Sequence, residues 1–205
     1  EIRNPLTSLK GFVQLMDMTQ EVNPLHSDIM LKEIDRINII SSELLVLGKK
    51  QDVAVRRIDL ADSLQQVFTL MKAETNLNNI EMGLRIKTAE SIYIMADSIE
   101  LKQLVINIVK NSIEAIEDNG EIDISLQIID GHAVVSVSDN GMGMGPERLE
   151  RIGEPFYSTK EKGSGIGLAI CRKIVHRLQG EMDFESEINK GTTVTIRIPL
   201  ATGQE

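Results

Sequence analysis

Three groups of residues in the second half of the chain have the types and spacing for chemistry on a nucleotide. Asn107 and Asn111 lie four apart in the run Gln103-Leu-Val-Ile-Asn107-Ile-Val-Lys110-Asn111-Ser-Ile-Glu114-Ala115, so a helix carries both amides on one face. Asparagine is a mediocre helix former, and two of them among Ile and Val call for a partner. Amide oxygens suit a hard divalent cation such as magnesium, which keeps several waters and takes its other ligands from phosphates; two solvent-facing asparagines are the plainer alternative. Next, Asp139-Asn-Gly141-Met-Gly143-Met-Gly145 follows an alternating apolar run. An aspartate just past a strand accepts a hydrogen bond from the exocyclic amine of adenine, and glycines beside it let backbone approach the ring; an Asp-Asn-Gly turn without ligand reads equally well. Third, Gly163-Ser-Gly165-Ile-Gly167-Leu168 opens an amphipathic run and follows Glu154-Pro-Phe-Tyr-Ser-Thr-Lys160. Glycines at a helix N-terminus expose N–H groups to an anion, and Lys160 adds a charge for phosphate. The spacing matches neither a P-loop nor a dinucleotide fingerprint, and a flexible linker has similar composition.

These groups need elements to hold them. The pattern predicts a strand near Arg56 to Asp59, a helix from about Leu60 to Leu77, strands near Ile80 to Ile86 and Ile92 to Met95, and a helix from about Ser98 to Glu117. Runs Glu121 to Ile129 and Ala133 to Ser138 alternate and meet at Asp130-Gly131, a pair suited to a tight hairpin. A helix from about Gly165 to Leu178 and a hairpin from Glu181 to Pro199 complete the chain. Strands and helices segregate, which predicts an α+β sandwich of one mixed sheet and one helical layer over residues 51–205.

Residues 1–50 read differently. Ile2, Leu6, Leu9, Val13 and Met16 form one helical stripe, and a second stripe runs from Met30 to Leu47 before Gly48. Asn23 and Pro24 are expected to end the first helix, giving an antiparallel hairpin. Two helices with one apolar stripe each cannot enclose a core. The simplest completion is a homodimer with a four-helix bundle; packing of the hairpin on the following domain is the other arrangement.

Composition limits the rest. A formal net charge of -9 and only 3% aromatic residues, with no Trp, argue against a nucleic-acid surface or base-stacking platform. The charge is uneven: Asp97 to Gly145 holds two basic and nine acidic residues, whereas Pro146 to Arg177 holds seven and four. An anionic ligand therefore finds its attraction in the second stretch. One cysteine, Cys171, fits a reducing cytoplasmic setting, and no apolar run reaches the ~20 residues of a membrane helix. Glu1 reads as a cut edge.

In this order the three groups resemble the ATP-binding (Bergerat) domain shared by sensor histidine kinases, gyrase-like topoisomerases and Hsp90-type chaperones. Residues 103–115 resemble its asparagine box, 139–143 and 163–168 its two glycine boxes, 154–160 its phenylalanine box, and Gly191-Thr192-Thr193 its closing element. Glu1-Ile-Arg-Asn4-Pro-Leu-Thr7 resembles the phosphoacceptor box of histidine kinases, His-Glu-x-x-Asn-Pro-Leu, with the histidine expected immediately before Glu1. At 100° per residue that position lies about 200° from the apolar stripe, facing solvent. His26, His132 and His176 are read as surface or packing residues. Within the family the wording is most similar to the sporulation-type kinases of Bacillus relatives.

The resemblance implies ATP and Mg2+ as ligands, with Asp139 reading adenine, Thr192 supporting it, and Gly141 and Gly143 beside the ring. It implies Asn107 and Asn111 for metal, Lys110 and Lys160 for phosphate, and Gly163, Gly165, Gly167 and Leu168 in a mobile lid. Glu1 is implied as general base and Asn4 as a phosphatase water-orienting residue. A homodimer through residues 1–50 and a response-regulator or phosphorelay receiver are the implied partners, and any membrane part lies upstream. Many members place Lys or Arg where this chain has Glu114, which puts that phosphate contact in doubt. An ATPase clamp of the gyrase or Hsp90 kind, with a glutamate where Asn107 sits, and a non-catalytic nucleotide-binding scaffold are the competing functions.

Overall fold

A computed structural model of the chain describes residues 3–19, 23–48, 54–88, 91–117, 119–154, 157 and 165–201. Helices α1 (Arg3–Thr19) and α2 (Pro24–Gly48) form the expected hairpin. Asn23 and Pro24 start α2, so the second helix begins within the expected break. The Asn23 side chain accepts from Leu25 N at 2.9 Å, and proline at the first helical position has no N–H to leave unpaired. His26 consequently sits in the first turn of α2, against the Phe12 ring at 5.1 Å between centroids.

The remaining elements run β1 (Arg56–Asp59), α3 (Leu60–Leu77), β2 (Glu81–Ile86), β3 (Tyr93–Ala96), α4 (Ser98–Ala115), β4 (Glu121–Ile129), β5 (His132–Asp139), α5 (Pro146–Arg151), α6 (Gly167–Arg177), β6 (Glu181–Glu187) and β7 (Gly191–Pro199). Helices α3 and α4 begin in the same way. Asp59 and Asp97 cap them, each accepting from two backbone N–H groups of the first turn.

Five strands form a mixed sheet in the order β2-β4-β5-β7-β6, with β2 and β4 parallel and the other pairs antiparallel. The β4–β5 hairpin turns at Asp130 and Gly131, both with positive φ, as its two-residue turn requires. The single sheet expected from sequence is incomplete, because β1 and β3 pair only with each other. Each is four residues long and offers one apolar side; the antiparallel register sets Ile58 opposite Ile94 on the core. Helix α5, also unforeseen, opens with Pro146 after Gly145.

The core lies between the five-stranded sheet and the layer of α3, α4 and α6. Leu64, Leu104, Ile108, Ile124, Leu126 and Ile170 are fully buried in it. The opposite face of the sheet is polar, with Ser136–Thr195 and Ser138–Thr193 hydroxyl pairs and the ion pairs Arg85–Asp123 and Arg197–Asp183. The architecture is thus α+β, a helical hairpin ahead of a helix-on-sheet sandwich. Among the described residues no helix is long and apolar enough to cross a membrane.

One ion pair ties α4 to α6. Arg177 Nη2 lies 2.9 Å from Glu100 Oε1, yet neither atom is in hydrogen-bond alignment. Burial raises the Glu100 carboxyl above its ordinary 4.5, outweighing the lowering by Arg177. The folded state therefore holds this proton more tightly than the unfolded chain. The group's stabilising contribution is full below pH 4.5 and is lost as pH rises through the raised folded value. Either single replacement by Met leaves the other, mostly buried group without its partner and is expected to cost about 3–5 kcal/mol, whereas the double replacement recovers most of that. Urea denaturation of the four proteins checks this, and equal losses in single and double variants would contradict it.

Candidate nucleotide site

Asp139 is the last residue of β5, within the strand and paired with Thr192 of β7. The residue is 8% exposed, and its carboxylate collects three donors. Gly141 N reaches Oδ1 at 3.0 Å, Thr192 N reaches the same oxygen at 3.2 Å, and the Ser112 hydroxyl reaches Oδ2 at 2.8 Å. A buried carboxylate is costly unless hydrogen-bonded, so these donors hold it in one orientation. They come from the loop after β5, the start of β7 and helix α4.

The loop after β5 is held on both sides. Met142 N donates to Ala115 O at the end of α4, and Asn189 N donates to Met142 O. A Cβ on Gly141 would stand 2.5 Å from Ala115 O, and Gly143, at φ +63°, lies so close to Glu187 O that a Cβ would overlap it. The expectation was that these glycines make room for a base; the structure gives them a reason within the protein's own backbone. Ser186 completes the clasp, accepting from Met144 N at 2.8 Å and reaching Gly191 O and Thr192 Oγ1.

Asn107 and Asn111 are half-buried on α4. The Asn107 side-chain amide donates to Gly167 O at 3.5 Å, linking α4 to the first turn of α6. The residue at its N-cap position, Ile166, is in helical conformation and its side chain supplies no acceptor to the first turn. Gly165 has φ +66°, and a Cβ on Gly167 would meet open space. Leu168 packs against the core, and Lys110 is exposed. Among the described residues no group of three or more His, Cys, Asp or Glu side chains could hold a metal. The oxygen donors at hand are the two amides, which suit an ion carried mainly by water and phosphate.

Asp139 borders a concavity of about 310 Å³ lined also by Ser138, Ser186, Lys190, Thr192 and Thr193. Neither Asn107 nor Asn111 lines it, so it meets the candidate site only at the aspartate end. Glu1, Lys160 and Gly163 lie outside the described residues, as does the side chain of Asn4. Of the three histidines, His132 starts β5 with Nδ1 2.9 Å from Asp130 O, and His176 is exposed on α6. Cys171 is fully buried, with its thiol pushed up to about 12 by burial, and is inert. Sequence reasoning missed Ser112 and Ser186; the only signal was a hydroxyl at a position that helical or strand periodicity assigns to the interior.

Comparison with known proteins extends this geometry. Residues 96–202 match the family described as histidine kinase-, DNA gyrase B- and HSP90-like ATPase, and residues 1–52 match the His Kinase A (phospho-acceptor) domain. Sporulation kinase C of Bacillus subtilis (strain 168) is 44% identical over 200 residues, covering 98% of this chain and 47% of that protein. Sporulation kinase A of the same organism is 44% identical over 204 residues, covering 97% and 33%. Among solved structures, the histidine kinase ThkA in complex with the response regulator protein TrrA superposes with a TM-score of 0.82 at 29% identity, covering 98% of this chain and 59% of that one. The chain spans less than half the length of the two curated relatives.

Proposed function

This chain belongs to the sensor histidine kinases, and from that premise we propose that it is the output module of a two-component kinase: residues 1–50 dimerise and present a phosphoacceptor, and residues 51–205 bind ATP. One observation carries the nucleotide half: the buried Asp139 carboxylate, fixed by three donors beside the asparagine-bearing helix α4. The acceptor half is supported by the apolar stripe of α1, where Leu6 and Val13 remain 51% and 57% exposed within one chain. A second copy covering that stripe makes the four-helix bundle.

In this reading Asp139 accepts from the 6-amino group of adenine, and Thr192 N holds the carboxylate for it. Asn111 and Asn107 take magnesium, which when bound neutralises phosphate charge. The N-terminus of α6, with Gly163, Gly165 and Gly167 before and in it, faces the phosphates as an anion site. Lys160 and Lys110 are the candidate side-chain cations, and Leu168 anchors the helix beneath. Catalysis is then positioning and charge stabilisation of an in-line transfer. The bond from the γ-phosphorus to the bridging oxygen breaks, ADP leaves, and a phosphorus–nitrogen bond forms on a histidine preceding Glu1. Glu1 acts as general base. The phosphoryl group passes on to an aspartate of a response regulator, in a phosphorelay of the sporulation type; Asn4 orients water for hydrolysis of that aspartyl phosphate, the phosphatase reaction.

The test uses the full-length protein with γ-labelled ATP and magnesium. The expected product is labelled protein that loses its label in acid and keeps it in base, as phosphohistidine does. Label stable to acid, or ATP turnover with no labelled protein, would sink the kinase reading in favour of an ATPase clamp.

A further inference from the structure

Helix α4 carries one polar side chain in the middle of its buried stripe. At 100° per residue, Leu101, Leu104, Val105, Ile108 and Val109 define an apolar arc whose centre falls on position 112, and Ser112 there is 3% exposed. A serine inside a helix commonly turns its hydroxyl back to the carbonyl four residues earlier. This one instead donates to Asp139 Oδ2, 27 residues away in sequence, at 2.8 Å.

The consequence follows from counting acceptor sites. An ionised carboxylate offers about four lone-pair directions, two on each oxygen. Oδ1 takes two backbone N–H groups, from Gly141 and Thr192, and is full. Oδ2 takes Ser112 and keeps one direction open. We infer that Ser112 is a positioning residue for base recognition: it reduces the open directions on Asp139 to one, so that the site accepts a single N–H donor and matches a 6-aminopurine. This rests on the reading of Asp139 as the adenine acceptor. With no hydroxyl at 112, Oδ2 has two open directions, takes water in the vacated space, and no longer fixes the line along which the amine arrives.

The effect is specific to ligands with a donor at that ring position, which a purely structural role is not. Ser112→Ala should weaken ATP binding about tenfold, the worth of one charge-assisted hydrogen bond. It should leave purine riboside triphosphate, which lacks the 6-amino group, within about twofold. Ser112→Thr keeps the hydroxyl and should keep the wild-type ratio of the two affinities, even where its added methyl lowers thermal stability. Calorimetric titration of each nucleotide into wild type, both variants and Asp139→Asn decides the matter. An unchanged ratio in Ser112→Ala, equal losses for both nucleotides, or a Thr variant that behaves like Ala would overturn the assignment. Wild-type ATP binding by Asp139→Asn would instead remove the adenine reading, and this inference with it. Loss in Asp139→Asn beside an unaffected Ser112→Ala removes the Ser112 role alone.

Discussion

Asp139→Asn should bind ATP at least about 100-fold more weakly than the wild type while remaining folded. The substitution preserves shape and changes one acceptor oxygen into a two-proton donor. Its oxygen is drawn to the place of Oδ1, where Gly141 N and Thr192 N both need an acceptor. The new amide then occupies the place of Oδ2. There the Ser112 hydroxyl, now 2.8 Å from a carboxylate oxygen, rotates to accept from the amide and turns its own proton to the carbonyl four residues back, Ile108 O. Every protein group is still paired, which is why the fold survives. The one direction left for a ligand now holds a proton where the adenine amine brings another. Two donors facing each other in a desolvated site forfeit a charge-assisted hydrogen bond and add a desolvation cost, together about 3 kcal/mol or more.

The same reversal predicts a gain. An amide donor at that point suits a carbonyl at ring position 6, so the variant's preference should move toward inosine triphosphate. Competition against a fluorescent ATP analogue measures both affinities, and circular dichroism with a melting curve checks the fold. ATP affinity within threefold of wild type would remove Asp139 from the site.

The features legible in the sequence share a property: they are statements about residue type at short spacing. Asn107 with Asn111, the Asp139 loop and the glycines before α6 stand out because such residues are uncommon where periodicity predicts helix or strand interior. The Asp130-Gly131 hairpin was legible because both turn residues need positive φ. Legibility failed where the deciding partner is distant. Ser112 is an ordinary serine until β5 brings Asp139 to it. Ser186 likewise gains its meaning from Met144 and Thr192, which only the sheet register places beside it. The pairing of β1 with β3 illustrates the same limit, since two four-residue segments with one apolar side each carry no information about which strand they join.

Pro24 failed for a different reason. Proline marks a helix boundary, but the residue alone does not say which helix it bounds. Here Asn23 supplies the cap and decides for the second helix. The Gly141 and Gly143 case is subtler: the sequence reads them as leaving room for a base, and the structure adds a close approach of each to backbone, at Ala115 O and Glu187 O. Close packing of the loop against α4 and the β6–β7 turn is what carries Gly141 N to Asp139.

Gly191 carries this logic furthest, and Gly191→Ala should be the most destabilising single methyl addition among the described glycines. It stands at the start of β7 with φ +105°, a backbone region L residues rarely adopt. A Cβ there would overlap Asp139 O and lie 2.9 Å from Asn140 Cα. Neither obstacle is a flexible side chain: one is backbone of Asp139, the strand end paired with Thr192, and the other backbone of the residue after it. The chain must therefore part β5 from β7 at that point, which withdraws Thr192 N from Asp139 Oδ1. Gly131→Ala separates the two causes. Gly131 also has positive φ, +75°, but its Cβ would meet open space, so it should lose only about 1–2 kcal/mol from the left-handed conformation. Gly191→Ala adds the steric conflict and should lose about 4 kcal/mol or more, with ATP affinity falling in whatever fraction stays folded. Denaturant titration of both variants gives the comparison. Equal losses would mean that conformation alone matters at Gly191, and that the close approach of β7 to Asp139 does not hold the carboxylate in place.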